Sequence, residues 1–160
     1  MIFGLDRKKV PKLLFSILLA NMAGIIGSLF TTPNIPTWYA TINRPAFTPP
    51  SWIFAPVWTS LFVLMGISLF IVWDNGLKKN KKAVGIFGVQ LILNTLWSIL
   101  FFGMQNPFLG LVEIMFLWLA IFATILAFYK ISKTSAYLLI PYILWVSFAA
   151  FLNYSIWILN

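Results

Sequence analysis

In 160 residues this chain is 61% hydrophobic and only 9% charged, more apolar surface than a water-soluble domain of that length can bury and well suited to a bilayer. It has no Cys, no His and only three acids, which excludes disulfides, thiolate nucleophiles, His- or Cys-ligated metals and His-ligated haem, and argues against carboxylate metal sites and paired-carboxylate hydrolysis. The formal charge of +8 comes from Lys and Arg clusters between apolar runs rather than along one face, a pattern that does not suit nucleic acid.

The first apolar stretch, 12–31, follows Arg7, Lys8, Lys9 and Lys12. It is too long for the core of a signal peptide and no A-x-A site precedes the next loop, so a retained helix is expected. Residues 32–50 then form a loop; Pro33, Pro36, Pro45, Pro49, Pro50 and Pro56 lie between residues 33 and 58, with Trp38, Trp52 and Trp58. Each proline fixes its own φ and pushes its predecessor toward extended backbone, which predicts a stiff aromatic lid without regular structure.

The second stretch, 51–73, is expected to start at Ser51 as N-cap, and its spacing lines up Phe54, Trp58, Phe62 and Met65 in one stripe. The third, 83–104, puts Gln90, Asn94, Trp97, Ser98 and Phe101 on a shared face. The bare turn Gln105-Asn106-Pro107 makes the fourth, 107–129, its antiparallel neighbour. Glu113 falls one and a half turns into that helix, where hydration or a hydrogen bond near the membrane surface is expected. The fifth, 135–158, aligns Tyr142, Trp145, Ala149, Asn153 and Trp157. Each stretch is near the ~20 residues that span a bilayer. The fold class is an all-α integral membrane protein, a single bundle of five transmembrane helices over residues 1–160.

Ten of the eleven cations fall on one side: the N-terminal cluster, Lys78, Lys79, Lys81 and Lys82, and Lys130 with Lys133. Only Arg44 falls on the other. The positive-inside rule then predicts a cytoplasmic N-terminus, with the lid loop and C-terminus outside.

Trp52, Trp73 and Trp157 lie near predicted boundaries and read as interfacial belt residues. Trp145 is ~15 Å into its helix, too deep for a belt, while the shallower Trp58 fits either role. Asn94 and Asn153 are costly in hydrocarbon without partners. Asn153 reads as interhelical glue; Asn94, between Gln90 and Ser98, fits glue and pocket lining equally. Gly24/Gly27 and Gly85/Gly88 read as close-packing positions, within the bundle or in a dimer.

Trp38-Tyr39, Arg44-Pro45, Pro49-Pro50, Phe54 and Pro56-Val57-Trp58 together resemble the signature of the translocator proteins, also called tryptophan-rich sensory proteins or peripheral benzodiazepine receptors. Leu93-Asn94, Trp97-Ser98 and Phe101-Phe102 agree with it, as do Pro141-Tyr142, Trp145, Phe148-Ala149 and Leu152-Asn153. Ile42 and Arg44 stand where the family usually shows Leu and Lys. The resemblance implies a five-helix membrane protein, usually dimeric, that binds porphyrins and benzodiazepine- or isoquinoline-type drugs, with a bacterial cell membrane as its setting. Some bacterial members are associated with light-dependent breakdown of protoporphyrin. No cation follows Tyr154, so the animal members' cholesterol motif is missing.

The expected binding set is Trp38, Tyr39, Pro49, Phe54, Trp58, Phe62, Asn94, Trp97, Trp145 and Ala149. Indole faces would stack on a porphyrin ring, with its carboxylates toward water and Arg44. Trp58 and Trp145 are the expected electron donors to a photoexcited ring. No metal and no covalent cofactor is expected; the partners are membrane lipid, the porphyrin or drug, and a second copy. The alternatives are a transporter of tetrapyrroles or other amphipathic molecules, disfavoured by the scarcity of buried titratable groups, and a purely structural protein.

Overall fold

The computed structural model describes residues 6–160, all helix and connecting turns within that range. Asp6 opens the chain's first turn, accepting a hydrogen bond from the Lys8 amide at 3.1 Å ahead of a 3₁₀ turn, Arg7–Lys9. Helix α1 follows over Val10–Asn34, with Pro11 in the first turn, where a missing N–H is harmless. The loop beyond it is not wholly irregular: α2, Trp38–Thr41, gives the lid one helical turn. Pro36 stands just before that turn and Pro45 and Pro49-Pro50 after it, so the prolines bound the turn rather than prevent it.

A 3₁₀ turn, Ser51–Ile53, leads into α3, Phe54–Asp74. The Ser51 side chain caps nothing; its carbonyl accepts from the Phe54 amide. Helix α4, Lys81–Ser98, continues as a π-helical turn over Ile99–Gly103, closed by the Met104 amide donating to the Ile99 carbonyl at 2.7 Å. Helix α5, Pro107–Tyr129, has its predicted bounds and is capped by Asn106, whose Oδ1 accepts from the Leu109 amide at 3.0 Å. The predicted fifth helix comes in two pieces, α6, Lys133–Tyr137, and α7, Ile140–Leu159. Pro141 has no N–H to give the α6 turn, so the helix restarts with Pro141 in its first turn. Five segments, Arg7–Asn34, Ser51–Asp74, Lys81–Gly103, Pro107–Tyr129 and Lys133–Leu159, are long and apolar enough to cross a bilayer.

Helix α1 packs on α3 and α4, α4 on α5, and α5 on α6 and α7. At the end carrying the basic clusters α6 joins α3: the buried Ser68 and Ser135 hydroxyls each donate to the other's carbonyl at 2.8 Å. Lys9 Nζ sits 2.7 Å and Lys12 Nζ 3.7 Å from the Asp74 carboxylate, tying the start of α1 to the end of α3. The two helices stay in contact to mid-membrane, because a Cβ on Gly66 would collide with the Ile17 backbone and one on Gly24 with the Phe62 ring. A Cβ on Gly27 would come within 2.9 Å of Ser98 Oγ, whereas one on Gly85 or Gly88 would meet nothing within 4 Å among the described residues, so these two are not close-packing positions inside this chain.

Glu113 departs from its expected surroundings. It is 5% exposed, and neither carboxylate oxygen has a hydrogen-bond partner among the described residues. Gly110, Glu113, Ile114, Leu117 and Ile121 all lie on the buried face of α5, so helical phase turns the carboxyl into the bundle despite its shallow depth.

Candidate functional site

Toward the lid end, α1, α3, α4 with its π turn, and α7 surround a cavity of about 320 Å³, within the range of small-molecule sites. Eight of the ten expected residues line it: Tyr39, Phe54, Trp58, Phe62, Asn94, Trp97, Trp145 and Ala149. Trp58 is stacked on Phe62 (5.7 Å between ring centroids) and meets Tyr142 edge-on at 6.2 Å, so its indole is held from two sides. Trp145 meets Phe54 at 6.1 Å and Phe148 at 5.6 Å. Its Nε1–H is buried and has no acceptor among the described residues, leaving a hydrogen-bond donor free on a residue of the cavity wall.

The two asparagines have different surroundings. Asn94 Nδ2 donates to the buried Tyr142 hydroxyl at 3.0 Å while the residue also edges the cavity, so it is at once glue and lining. Asn153 is glue on both sides of its amide, accepting from Trp97 Nε1 at 3.2 Å and donating to the Pro107 carbonyl at 2.7 Å. Gln90 is buried beside Met65, away from the cavity.

Two expected residues lie elsewhere. Trp38 packs edge-on against Phe101 and Phe102, at 5.4 and 6.2 Å, and supports the lid from within its own aromatic cluster. Pro49 lines a shallow depression on the lid with Asn43, Arg44 and Pro45. Arg44 rests over the Tyr39 ring at 5.1 Å from its centroid, so the tyrosine stands between this cation and the cavity. Burial pushes the Tyr39 phenol pKa up, with Arg44 acting in the opposite direction.

The sequence reading missed the α1 wall: Asn21, Gly24, Ser28 and Thr31 face the cavity. Their spacing of three and four residues was the available signal, but small and hydroxyl residues in an apolar helix serve packing equally well. Phe102 was also missed. In an α-helix, Phe101 and Phe102 would point about 100° apart; both are buried where the backbone takes the π turn.

Comparison with known proteins is consistent with this arrangement. The chain is 49% identical over 151 residues to the tryptophan-rich protein TspO of Archaeoglobus fulgidus, covering 94% of this chain and 98% of that one. It is 36% identical over 151 residues to the translocator protein of Bos taurus, covering 92% and 89%. With the tryptophan-rich sensory protein of Cereibacter sphaeroides it shares 36% identity over 123 residues, 77% of each. Residues 16–158, which include every wall of the cavity, match the TspO/MBR family throughout, and the chain belongs to that family of integral membrane proteins.

Proposed function

We propose that this protein is a membrane receptor or sensor whose lid-end cavity binds protoporphyrin-type tetrapyrroles and benzodiazepine- or isoquinoline-type drugs. The observation that carries the reading is the aromatic wall of Trp58, Trp97 and Trp145 with Asn94 at its edge. A flat π-system can stack there, and the Asn94 amide is the polar group placed to hydrogen-bond a carbonyl or pyrrole nitrogen. The names of the relatives, sensory and translocator proteins, support a signalling or ligand-handling role. In this reading the basic end faces the cytoplasm and the lid faces outward, as the cation distribution supports. The protein works as a pair, and the open backbone at Gly85 and Gly88 on α4 leaves room for a second copy.

Titration of the purified protein with protoporphyrin IX in the dark, followed by tryptophan quenching, tests the reading. Saturable binding is expected. Trp58→Phe and Trp145→Phe keep an aromatic face and are expected to weaken binding by ~0.5–1.5 kcal/mol. Trp73→Phe, at the basic end against Phe15, is the unaffected control. Under fixed illumination with ligand saturating, Trp58 and Trp145 are the proposed electron donors to the excited ring. Phe is harder to oxidise, so porphyrin bleaching should fall much further than affinity in both variants. Equal bleaching in all four proteins makes this a binding module, and absence of saturable binding overturns the reading.

A further inference from the structure

The geometry points to a lateral portal: we infer that the cavity exchanges its ligand with the lid-end leaflet of the bilayer through the gap between α1 and α3. The inference rests on the cavity being the binding site proposed above. It asks for a ligand already dissolved in the membrane, an apolar, flat amphiphile, rather than one captured from water.

Three observations carry it. Among the cavity-lining residues, the exposed ones are Ile25, Ser28 and Thr32 on α1 and Ala55 and Thr59 on α3. The lining residues of α4, its π turn and α7 are buried or only partly exposed, so among the described residues the most open rim of the cavity lies between α1 and α3. The surrounding bilayer face is large and apolar, with Ile26 and Leu29 exposed, while the rim is small or hydroxylic at every position but Ile25. The Ser28 hydroxyl donates back to the Ile25 carbonyl at 2.7 Å and the Thr59 hydroxyl to the Ala55 carbonyl at 2.9 Å. With their donors satisfied, these hydroxyls present little polar barrier to a sliding apolar molecule.

The second observation is that α1 and α3 are joined at one end and parted at the other. Lys9 and Lys12 on Asp74, Phe15 on Trp73, and the close approaches at Gly66 and Gly24 hold the basic-end half together. At the next glycine along α1, Gly27, a Cβ would meet Ser98 of α4 instead of α3, and from Gly24 and Phe62 toward the lid both helices line the cavity.

Third, the top is fastened. The Asn43 amide donates to Asn160 Oδ1 at 3.0 Å, Asn160 Nδ2 donates to the Asn43 carbonyl at 3.0 Å, and Asn43 Nδ2 donates to the Leu159 carbonyl at 3.2 Å. Phe47 is stacked on Phe151 at 5.2 Å, and Tyr39, beneath Arg44, is 4% exposed. Passage through the lid would have to break all of these, whereas the rim residues between α1 and α3 are already exposed.

The test uses the full chain in lipid nanodiscs with protoporphyrin IX as probe, and stopped-flow tryptophan quenching as readout. Ser28→Phe and Thr59→Phe place bulk in the gap. Both association and dissociation are expected to slow at least five-fold, since a barrier acts in both directions, whereas a damaged binding site would speed dissociation. Asn160→Ala, which removes two of the three latch bonds, is expected to leave both rates within two-fold. Unchanged rates in the two gap variants, or faster exchange in Asn160→Ala, overturn the portal. A second measurement does not need porphyrin binding, so failure of the receptor reading is distinguishable from failure of the portal. The protein has no native Cys, so a bimane can be placed uniquely on the cavity wall at Ala149→Cys. Quenching by lipids brominated in the upper half of their acyl chains, exceeding quenching by aqueous iodide, is expected. Stronger quenching by iodide, or none by either, overturns the inference.

Discussion

Asn94 and Tyr142 form a side-chain hydrogen bond that links the cavity edge to the buried interior between α4 and α7. Removing either end has different consequences. Asn94→Leu leaves a fully buried phenol hydroxyl without its partner, which costs about 1–3 kcal/mol of stability, and it also strips the polar edge from the cavity. Tyr142→Phe removes the hydroxyl itself and leaves the Asn94 amide at the cavity edge, where a ligand acceptor can reach it. Asn94→Leu is therefore expected to weaken protoporphyrin binding by ~1–2 kcal/mol while Tyr142→Phe retains it. Thermal unfolding in detergent and the dark titration check both halves, and equal binding in the two variants would assign Asn94 to packing alone. Residue identity and spacing made Asn94 legible as a polar inward residue, but not its partner, which depends on how far α7 is shifted along α4. Glu113 shows the same limit: its depth was readable from the chain, while its burial came from the phase of α5, which puts it on the helix's buried face.

The glycines separate close packing from open surface among the helices. At Gly66 the obstacle to a side chain is the Ile17 backbone, which cannot rotate away, so Gly66→Ala is expected to split α1 from α3 and lower stability by about 1–3 kcal/mol. At Gly85 nothing stands within 4 Å, and Gly85→Ala should gain up to about 1 kcal/mol of helix propensity. Thermal unfolding of the two variants side by side is the check; destabilisation by Gly85→Ala would mean that another chain, such as the proposed second copy, packs on α4 there. Apolar run lengths were enough to locate the five spans, and α5 came out within its predicted bounds because Asn106 and Pro107 mark its start chemically. The turn of helix in the lid and the π turn after Ser98 were not legible, since each depends on tertiary packing or on hydrogen bonds that composition does not display. The break before Ile140 does carry a signal, Pro141, whose missing N–H restarts the helix.

At the scale of the whole molecule the proposed orientation is open to direct measurement. Thr41, exposed at the end of α2, and Lys79, exposed in the basic loop, lie at opposite ends of the bundle. In intact cells Thr41→Cys is expected to react with an impermeant maleimide and Lys79→Cys only after permeabilisation; the reverse pattern would invert the topology. The cavity itself was largely legible because three of its walls carry aromatic stripes at helical spacing. The fourth, α1, was not, because its contribution is a set of small residues whose meaning comes only from what faces them.

The latch also orders events in time. Asn43 and Asn160 are 117 positions apart. At about 5–20 residues per second, a ribosome needs roughly 6–23 s to make the second partner after the first. For about the first half of that interval Phe101 and Phe102, which receive Trp38, are still to come, and Phe151 and Asn160 arrive only at its end. The lid thus cannot take its latched form until α7 has been made. The prolines gain a second significance from this schedule: by narrowing the backbone choices of an unanchored loop, they limit how far it can stray before α7 arrives to hold it.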